Sequence, residues 1–184
     1  QDSANIGWDT IVGSKTELHA QVVASTKMTV GIKRDGTLDA SGTSGEGQWA
    51  IEGYEGITSV ALGYTQTLLL TKNLNVLAVG DDYYGETQVS DWYDIKAISA
   101  GTYCSYGLRT DGTVLSVGLN DKGQLNVDAW SGIKAIDAIG KRVVGLTLTG
   151  TVVATGNFTA DEISALSNIT NAKQVEVGLN FVAV

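Results

Sequence analysis

Gly107-Leu108-Arg109-Thr110-Asp111-Gly112-Thr113-Val114 decides the fold, because the chain carries the segment more than once. Gly31-Ile32-Lys33-Arg34-Asp35-Gly36-Thr37-Leu38 is the same segment at an offset of 76, which is twice 38. Midway, at an offset of 38, stands Leu69-Leu70-Thr71-Lys72-Asn73-Leu74-Asn75-Val76. One further step of the same length beyond Gly107 comes Gly145-Leu146-Thr147-Leu148-Thr149-Gly150-Thr151-Val152. Each copy is followed by a glycine at the same place: Gly42, Gly80, Gly118 and Gly156. A fixed period of this length marks a repeat architecture, in which each unit buries its apolar face against its neighbours.

Working outward, Gly63-Tyr64-Thr65-Gln66-Thr67 matches Gly101-Thr102-Tyr103-Cys104-Ser105, and Val60, Ile98 and Ile136 keep step with them. Gly140 falls one position late, which indicates a single insertion, and Gly178-Leu179-Asn180-Phe181-Val182-Ala183-Val184 starts the element a fifth time. Asp35-Gly36 and Asp111-Gly112 read as two-residue hairpin turns with positive φ at both positions. Residues 106–110 and 113–117 flank one of them and are rich in β-branched and apolar side chains, which marks strands. Ile95-Lys96-Ala97-Ile98 and its relatives at 57–60 and 133–136 supply a further strand. Helical spacing is confined to residues 161–167, where Ile163 and Leu166 are three apart.

Three or four short strands per unit, repeated, give an all-β fold, and stacking the units around an axis gives a β-propeller. The competing parallel β-helix has rungs of roughly 20–30 residues and lacks antiparallel hairpins. Five full units of 38 would slightly exceed the 184 residues of the chain. It starts at the equivalent of Val153 and ends at the equivalent of Leu146. The expectation is therefore a single propeller domain over 1–184 with five blades. Its units are approximately 1–24, 25–62, 63–100, 101–139 and 140–177, with 178–184 completing the first blade. Residues 181–184 would pair beside residues 3–6 to close the ring. A fragment of a longer array is the rival reading.

Asp111-Gly112-Thr113-Val114-Leu115-Ser116-Val117-Gly118-Leu119-Asn120-Asp121-Lys122-Gly123-Gln124-Leu125 resembles the repeat of the regulator of chromosome condensation family, which runs approximately D-G-x-v-x-x-W-G-x-N-x-x-G-Q-L. Weaker copies follow Gly42 and Gly80, and the short repeat with Asp91-Trp92 resembles the bacterial branch, which includes propeller-type β-lactamase inhibitor proteins. Val117, Ser41, Val79 and Thr155 stand where the family has Trp, and Met28, Gln66, Cys104, Arg142 and Asn180 where it has His. The fourth copy, from Gly156, has lost G-Q-L altogether. The resemblance implies a propeller. It leaves the role open, since members exchange nucleotides on small GTPases, inhibit enzymes or scaffold.

Composition narrows the classes. Hydrophobic residues at 43% and charged residues at 17% exclude disorder. A net charge of −8 and only twelve scattered basic residues exclude nucleic acid as a partner. No apolar run approaches the roughly 20 residues of a membrane span. The N-terminus shows no leader pattern, and together with the lone Cys104 it leaves the compartment open; we favour a secreted or cell-surface location.

A single histidine, His19, rules out a histidine-pair zinc site and reads as a surface or edge residue; Cys104 reads as a buried inert thiol. Asp81, Asp82 and Glu86, with Asp91 and Asp94, lack the spacing of a calcium loop. Gly-rich residues 42–47 lack the G-K-[ST] of a phosphate loop, and Lys141-Arg142 reads as surface charge. Two Asn-x-Thr sequons, at Asn157 and Asn168, are weak signals in an Asn- and Thr-rich chain. No catalytic residue, metal or cofactor is therefore expected, and the chain reads as a non-enzyme.

Aromatic residues carry the site. Tyr54, Trp92 and Trp130 recur at the period of the repeat, which points to blade packing. Tyr83 and Tyr84 break the pattern in the loop after Gly80, and non-repeating aromatics in a propeller loop suit a binding surface. The expected binding residues are Tyr83, Tyr84, Asp82, Trp92 and Tyr93. The expected partner is a protein; a sugar, stacked on the repeated aromatics, is the alternative, and a structural segment of a larger repeat protein is a third.

Overall fold

The computed structural model describes residues 21–25, 27–42 and 50–184. Within them, five antiparallel sheets follow one another along the chain. The first is β1 (Gln21–Ala24), β2 (Met28–Ile32) and β3 (Leu38–Gly42). The second is β4 (Ile57–Leu62), β5 (Gln66–Thr71) and β6 (Val76–Gly80); the third is β7 (Ile95–Ala100), β8 (Cys104–Arg109) and β9 (Val114–Gly118). The fourth is β10 (Ile133–Ile139), β11 (Arg142–Thr147) and β12 (Val152–Gly156), and the fifth pairs β13 (Glu176–Val177) with β14 (Val182–Ala183). Each sheet is a meander in chain order. The sheets thus take their first strand from the end of one sequence unit and the next two from the following unit. Helix α1 (Ala160–Ser167) lies between β12 and β13, where the sequence shows helical spacing. Thr159 and Glu162 form a capping box at its start, satisfying backbone N–H groups that the first turn leaves open.

The cores lie between successive sheets, as in the blades of a propeller. Met28, Val30 and Ile32 pack with Val60 and Leu69 between the first two, and Leu68, Leu70, Trp92 and Ile95 pack against Leu115 and Val117 between the second and third. Tyr106, Leu108 and Val127 meet Ile133 and Val143, and Val144 and Leu146 meet Leu166, Val175 and Val177. The middle strands β5, β8 and β11 are buried along almost their whole length, so both of their faces are covered by neighbouring blades.

The repeated turns differ from the two-residue hairpins expected. Lys33 N–H donates to Thr37 O at 2.8 Å and Gly36 N–H to Lys33 O at 2.9 Å, so the loop has three residues. Only the glycines of the two Asp-Gly pairs, Gly36 and Gly112, have positive φ, at 80° and 86°; Asp35 and Asp111 do not. The aspartates brace the turn instead. Each carboxylate accepts both the N–H and the hydroxyl of the threonine two positions on, at 2.9 and 2.7 Å. Those bonds hold both carboxyls below the usual aspartate range, the threonine hydroxyl contributing most. The carbonyls of Gly36, Leu74 and Gly112 each accept an N–H from the first residue of the next sheet, at Ile57, Ile95 and Ile133, and that of Gly150 accepts one from Ala172, on the approach to β13. One backbone bond, repeated four times, ties each blade to its successor.

A candidate binding face of four tyrosines

Because the strands alternate in direction, each sheet has two rims. The upper rim holds the turns between first and second strands and the loop leaving the third. The lower rim holds the turns between second and third strands and the approach to the next sheet.

On the upper rim four tyrosine rings form a row across the second and third blades. Tyr64, in the β4–β5 turn, meets Tyr103, in the β7–β8 turn, with ring centroids 5.7 Å apart and planes at 78°. Tyr103 meets Tyr84 at 5.1 Å and 51°, and Tyr84 meets Tyr83 at 4.8 Å and 79°. Lys27, in the β1–β2 turn, extends the row into the first blade, its Nζ 3.8 Å from the Tyr64 ring centroid and 3.4 Å from Tyr64 O. Tyr83 is 78% exposed and Tyr64 47%.

The row stands on a buried polar base. Glu86 is fully buried; its Oε2 accepts the backbone N–H of Tyr84 at 2.8 Å and its Oε1 accepts the Thr65 hydroxyl at 3.0 Å. Ser105 donates to the Glu86 carbonyl at 2.7 Å, and the Gln66 amide donates to Cys104 O at 2.9 Å, joining the two blades beneath the rings. In the next blade Gln124 does for Lys122 what Glu86 does for Tyr84, its Oε1 accepting the Lys122 N–H at 2.8 Å. Tyr103 has φ of 57°, and its carbonyl accepts Leu119 N–H at 2.8 Å. Gly118 crosses so close that a Cβ there would lie 2.2 Å from that carbonyl, and Gly42, Gly80 and Gly156 abut the equivalent carbonyls in the same way. That crossing explains the recurring glycine.

The expected site residues divide. Tyr83 and Tyr84 lie in the row. Asp82 precedes them; burial opposes its ionisation, but bonds from Thr87 N–H and the Gln88 amide outweigh it and lower its pKa. Trp92 does not belong to a binding surface: it is buried in the core between the second and third blades. Tyr93 is exposed on the lower rim, its ring against the Arg109 guanidinium at 4.8 Å. Ile95 opposite Arg109 marks that end of the sheet, so about five or six residues of strand, roughly 16–20 Å, separate Tyr93 from the row.

Other sequence readings fare unevenly. Tyr54 and Trp130 pack against the blade cores, as their period indicates. Cys104 is buried, and burial pushes its thiol up. Arg142 is not surface charge: it is buried, donates to Leu179 O at 2.9 Å, pairs with Glu162 and lies over the Phe158 ring. Helix α1, which has no counterpart after the second and third blades, brings Glu162 to it. His19, residues 43–47 of the glycine-rich loop and residues 3–6 lie outside the described residues.

Tyr64, Tyr103 and Lys27 do not stand out in the sequence as site residues. A signal is present for Tyr103, since Lys27, Thr65, Tyr103 and Lys141 share one position of the repeat and only Tyr103 is aromatic there. Chemically the row offers rings, hydroxyls and one ammonium. Among the described residues no group of three or more His, Cys, Asp or Glu side chains could hold a metal ion.

Residues 95–124 match the regulator of chromosome condensation (RCC1) repeat, covering the third blade and the loop after it. No curated protein sequence matches the chain. Several solved propeller structures share its fold at low identity. Prp20p from Saccharomyces cerevisiae, described with its binding to Gsp1p and histones, is 19% identical with a TM-score of 0.63, over 78% of this chain and 44% of that one. The CRINKLY WD40 ectodomain of the Arabidopsis thaliana receptor kinase ACR4 is 16% identical, TM-score 0.67, over 89% and 61%. The ectodomain of the Physcomitrella patens receptor kinase CR4 is 17% identical, TM-score 0.68, over 92% and 48%. The chain spans about half the length of these structures. The likeness establishes an RCC1-like propeller fold.

Proposed function

We propose that this chain is a non-catalytic, protein-binding propeller module whose partner docks on the upper rim. The observation that carries the reading is the row Tyr64, Tyr103, Tyr84, Tyr83, exposed at every ring but the half-buried Tyr103 and held on a buried base. Tyrosine supplies large contact area for little lost rotamer freedom, and a pre-set row loses less on binding than a mobile one. That Prp20p binds proteins supports the class without naming the partner here. Inhibitor, adhesion and scaffold roles all use such a face. The sugar reading relies on Tyr54, Trp92 and Trp130, whose rings pack into the cores. To test the proposal, the partner is captured from the native source on the wild-type chain and identified by mass spectrometry. It is then titrated against Tyr83→Ala/Tyr84→Ala. A loss of about thirtyfold in affinity, the cost of a central aromatic anchor, is expected. An unchanged affinity moves the site elsewhere.

We also propose five blades in one closed ring. Among the described residues the fifth sheet has two strands where the other four have three, and β14 is paired on its β13 side. A third strand there, from the N-terminal segment, would cover an edge that proteins avoid leaving open. Deleting residues 181–184 then lowers the melting temperature by several degrees, as loss of a closing strand of about 1–2 kcal/mol implies. An unchanged melt favours a segment of a longer array.

A further inference from the structure

We infer that the tyrosine row takes an extended peptide segment of its partner, apolar in the middle, with an acidic side chain passing Lys27 and a basic one passing Asp82. The inference rests on the protein-binding reading above and adds the chemistry of what binds. Three features of the row support it.

The first is relief. Successive rings are turned by 78°, 51° and 79°, so edges and faces alternate along the row. A pyranose stacks on a flat ring face, and a row of rings turned from one another by 51° to 79° offers no continuous platform. It offers notches, which suit compact apolar side chains such as proline and leucine. Aromatic rows of this kind hold extended segments because such segments lose little entropy on docking.

The second is length. Centroid steps of 5.7, 5.1 and 4.8 Å make a track that at most about five residues cover at roughly 3.3 Å each.

The third is charge. The row is polar along its length: the Lys27 ammonium lies at the Tyr64 end, and Asp82 directly precedes Tyr83 at the other. The Asp82 carboxyl titrates low, so that end stays anionic at neutral pH. A segment with one acidic and one basic end meets opposite charge at both ends.

The probes are three labelled synthetic peptides with the core Pro-Leu-Pro-Leu-Pro: one with Glu and Lys at its two ends, one with Lys at both, one with Glu at both. Chitohexaose is the sugar control. Fluorescence anisotropy gives the peptide affinities, and ring-proton shifts in NMR spectra report both ligand types. The mixed-end peptide is expected to bind saturably and best, with at least about a tenfold loss in Tyr64→Ala/Tyr83→Ala. Lys27→Glu is expected to shift preference by about threefold towards the peptide with two lysines, and Lys27→Gln to give an intermediate value. The proposal is overturned if no peptide saturates, if Lys27→Glu leaves the ranking unchanged, or if chitohexaose alone moves the tyrosine signals. Failure here is separable from failure of the protein-binding reading. If Tyr83→Ala/Tyr84→Ala still weakens the captured partner while no peptide binds, the face binds a folded surface and only the peptide inference falls. If neither responds, both fall.

Discussion

The Trp92 indole fills the space that a Cβ on Gly107 would need, its Cε3 only 2.7 Å from where that atom would stand. Trp130 and Gly145 repeat the relationship at 2.9 Å. In the second blade the smaller Tyr54 and Leu69 stand at the equivalent positions and belong to one hydrophobic cluster. The three pairs share one separation along the chain, so ring size and the residue beneath it change together. Gly107→Ala is accordingly expected to destabilise the fold by about 1–3 kcal/mol through overpacking. Trp92→Ala should cost about 3–5 kcal/mol through the cavity it leaves. Urea unfolding of both variants checks this. Wild-type midpoints would return Trp92 to the surface.

Leu74 occupies the place of Gly36, Gly112 and Gly150 in the lower turns, with φ of 62° where a side chain is strained. Its backbone bonds, Leu74 N–H to Thr71 O at 3.0 Å and Leu74 O from Ile95 N–H at 2.9 Å, match those of the glycine turns. Leu74→Gly should therefore stabilise the protein by about 1 kcal/mol, since the left-handed region costs an L-residue that much. A lower melting temperature for the variant would contradict this.

Asp137 reaches from the fourth blade to the fifth, its carboxylate accepting Val177 N–H at 2.7 Å and Ala138 N–H at 3.0 Å. Burial raises its pKa, and Glu176 nearby adds to that, against the lowering effect of the two N–H groups and Ser99. A raised folded pKa means that the favourable contribution is complete below the unfolded value, near about 4. It is lost as pH rises through the folded value. Asp137→Asn removes the charge, and leaves one of the two N–H groups facing an amide NH2, so its test is the pH dependence: relative to wild type the variant should be more stable at pH 7 than at pH 4. Urea unfolding at both pH values will report the difference. A variant that gains on wild type as pH falls would reverse the sign and refute the assignment.

The fold was legible because its determinants repeat. The period of 38, the glycines at 42, 80, 118 and 156 and the Asp-Gly turns all report backbone requirements shared between blades. The turn type was misread because Asp-Gly serves both a two-residue loop and a three-residue loop closed by a left-handed glycine. The choice lies in backbone bonds such as Lys33 N–H to Thr37 O. Half of the site was legible for the opposite reason: Tyr83 and Tyr84 stand out by breaking the repeat. Trp92 and Tyr93 were grouped with them by nearness along the chain. Between Tyr84 and Trp92 the loop runs from one rim towards the other, sending Trp92 into the core and Tyr93 to the lower rim. Tyr103, from the next unit, joins the row through packing between blades, and links Tyr64 to Tyr84.

Comparing the two rims against one captured partner tests the central claim most directly. Calorimetric titration of wild type, Tyr83→Ala/Tyr84→Ala and Tyr93→Ala uses exposed residues on opposite rims, so the melts of all three should agree within a few degrees. The account predicts that the upper-rim pair loses about thirtyfold in affinity while Tyr93→Ala stays within about twofold of wild type. A partner that is weakened by Tyr93→Ala and indifferent to the upper pair would contradict it.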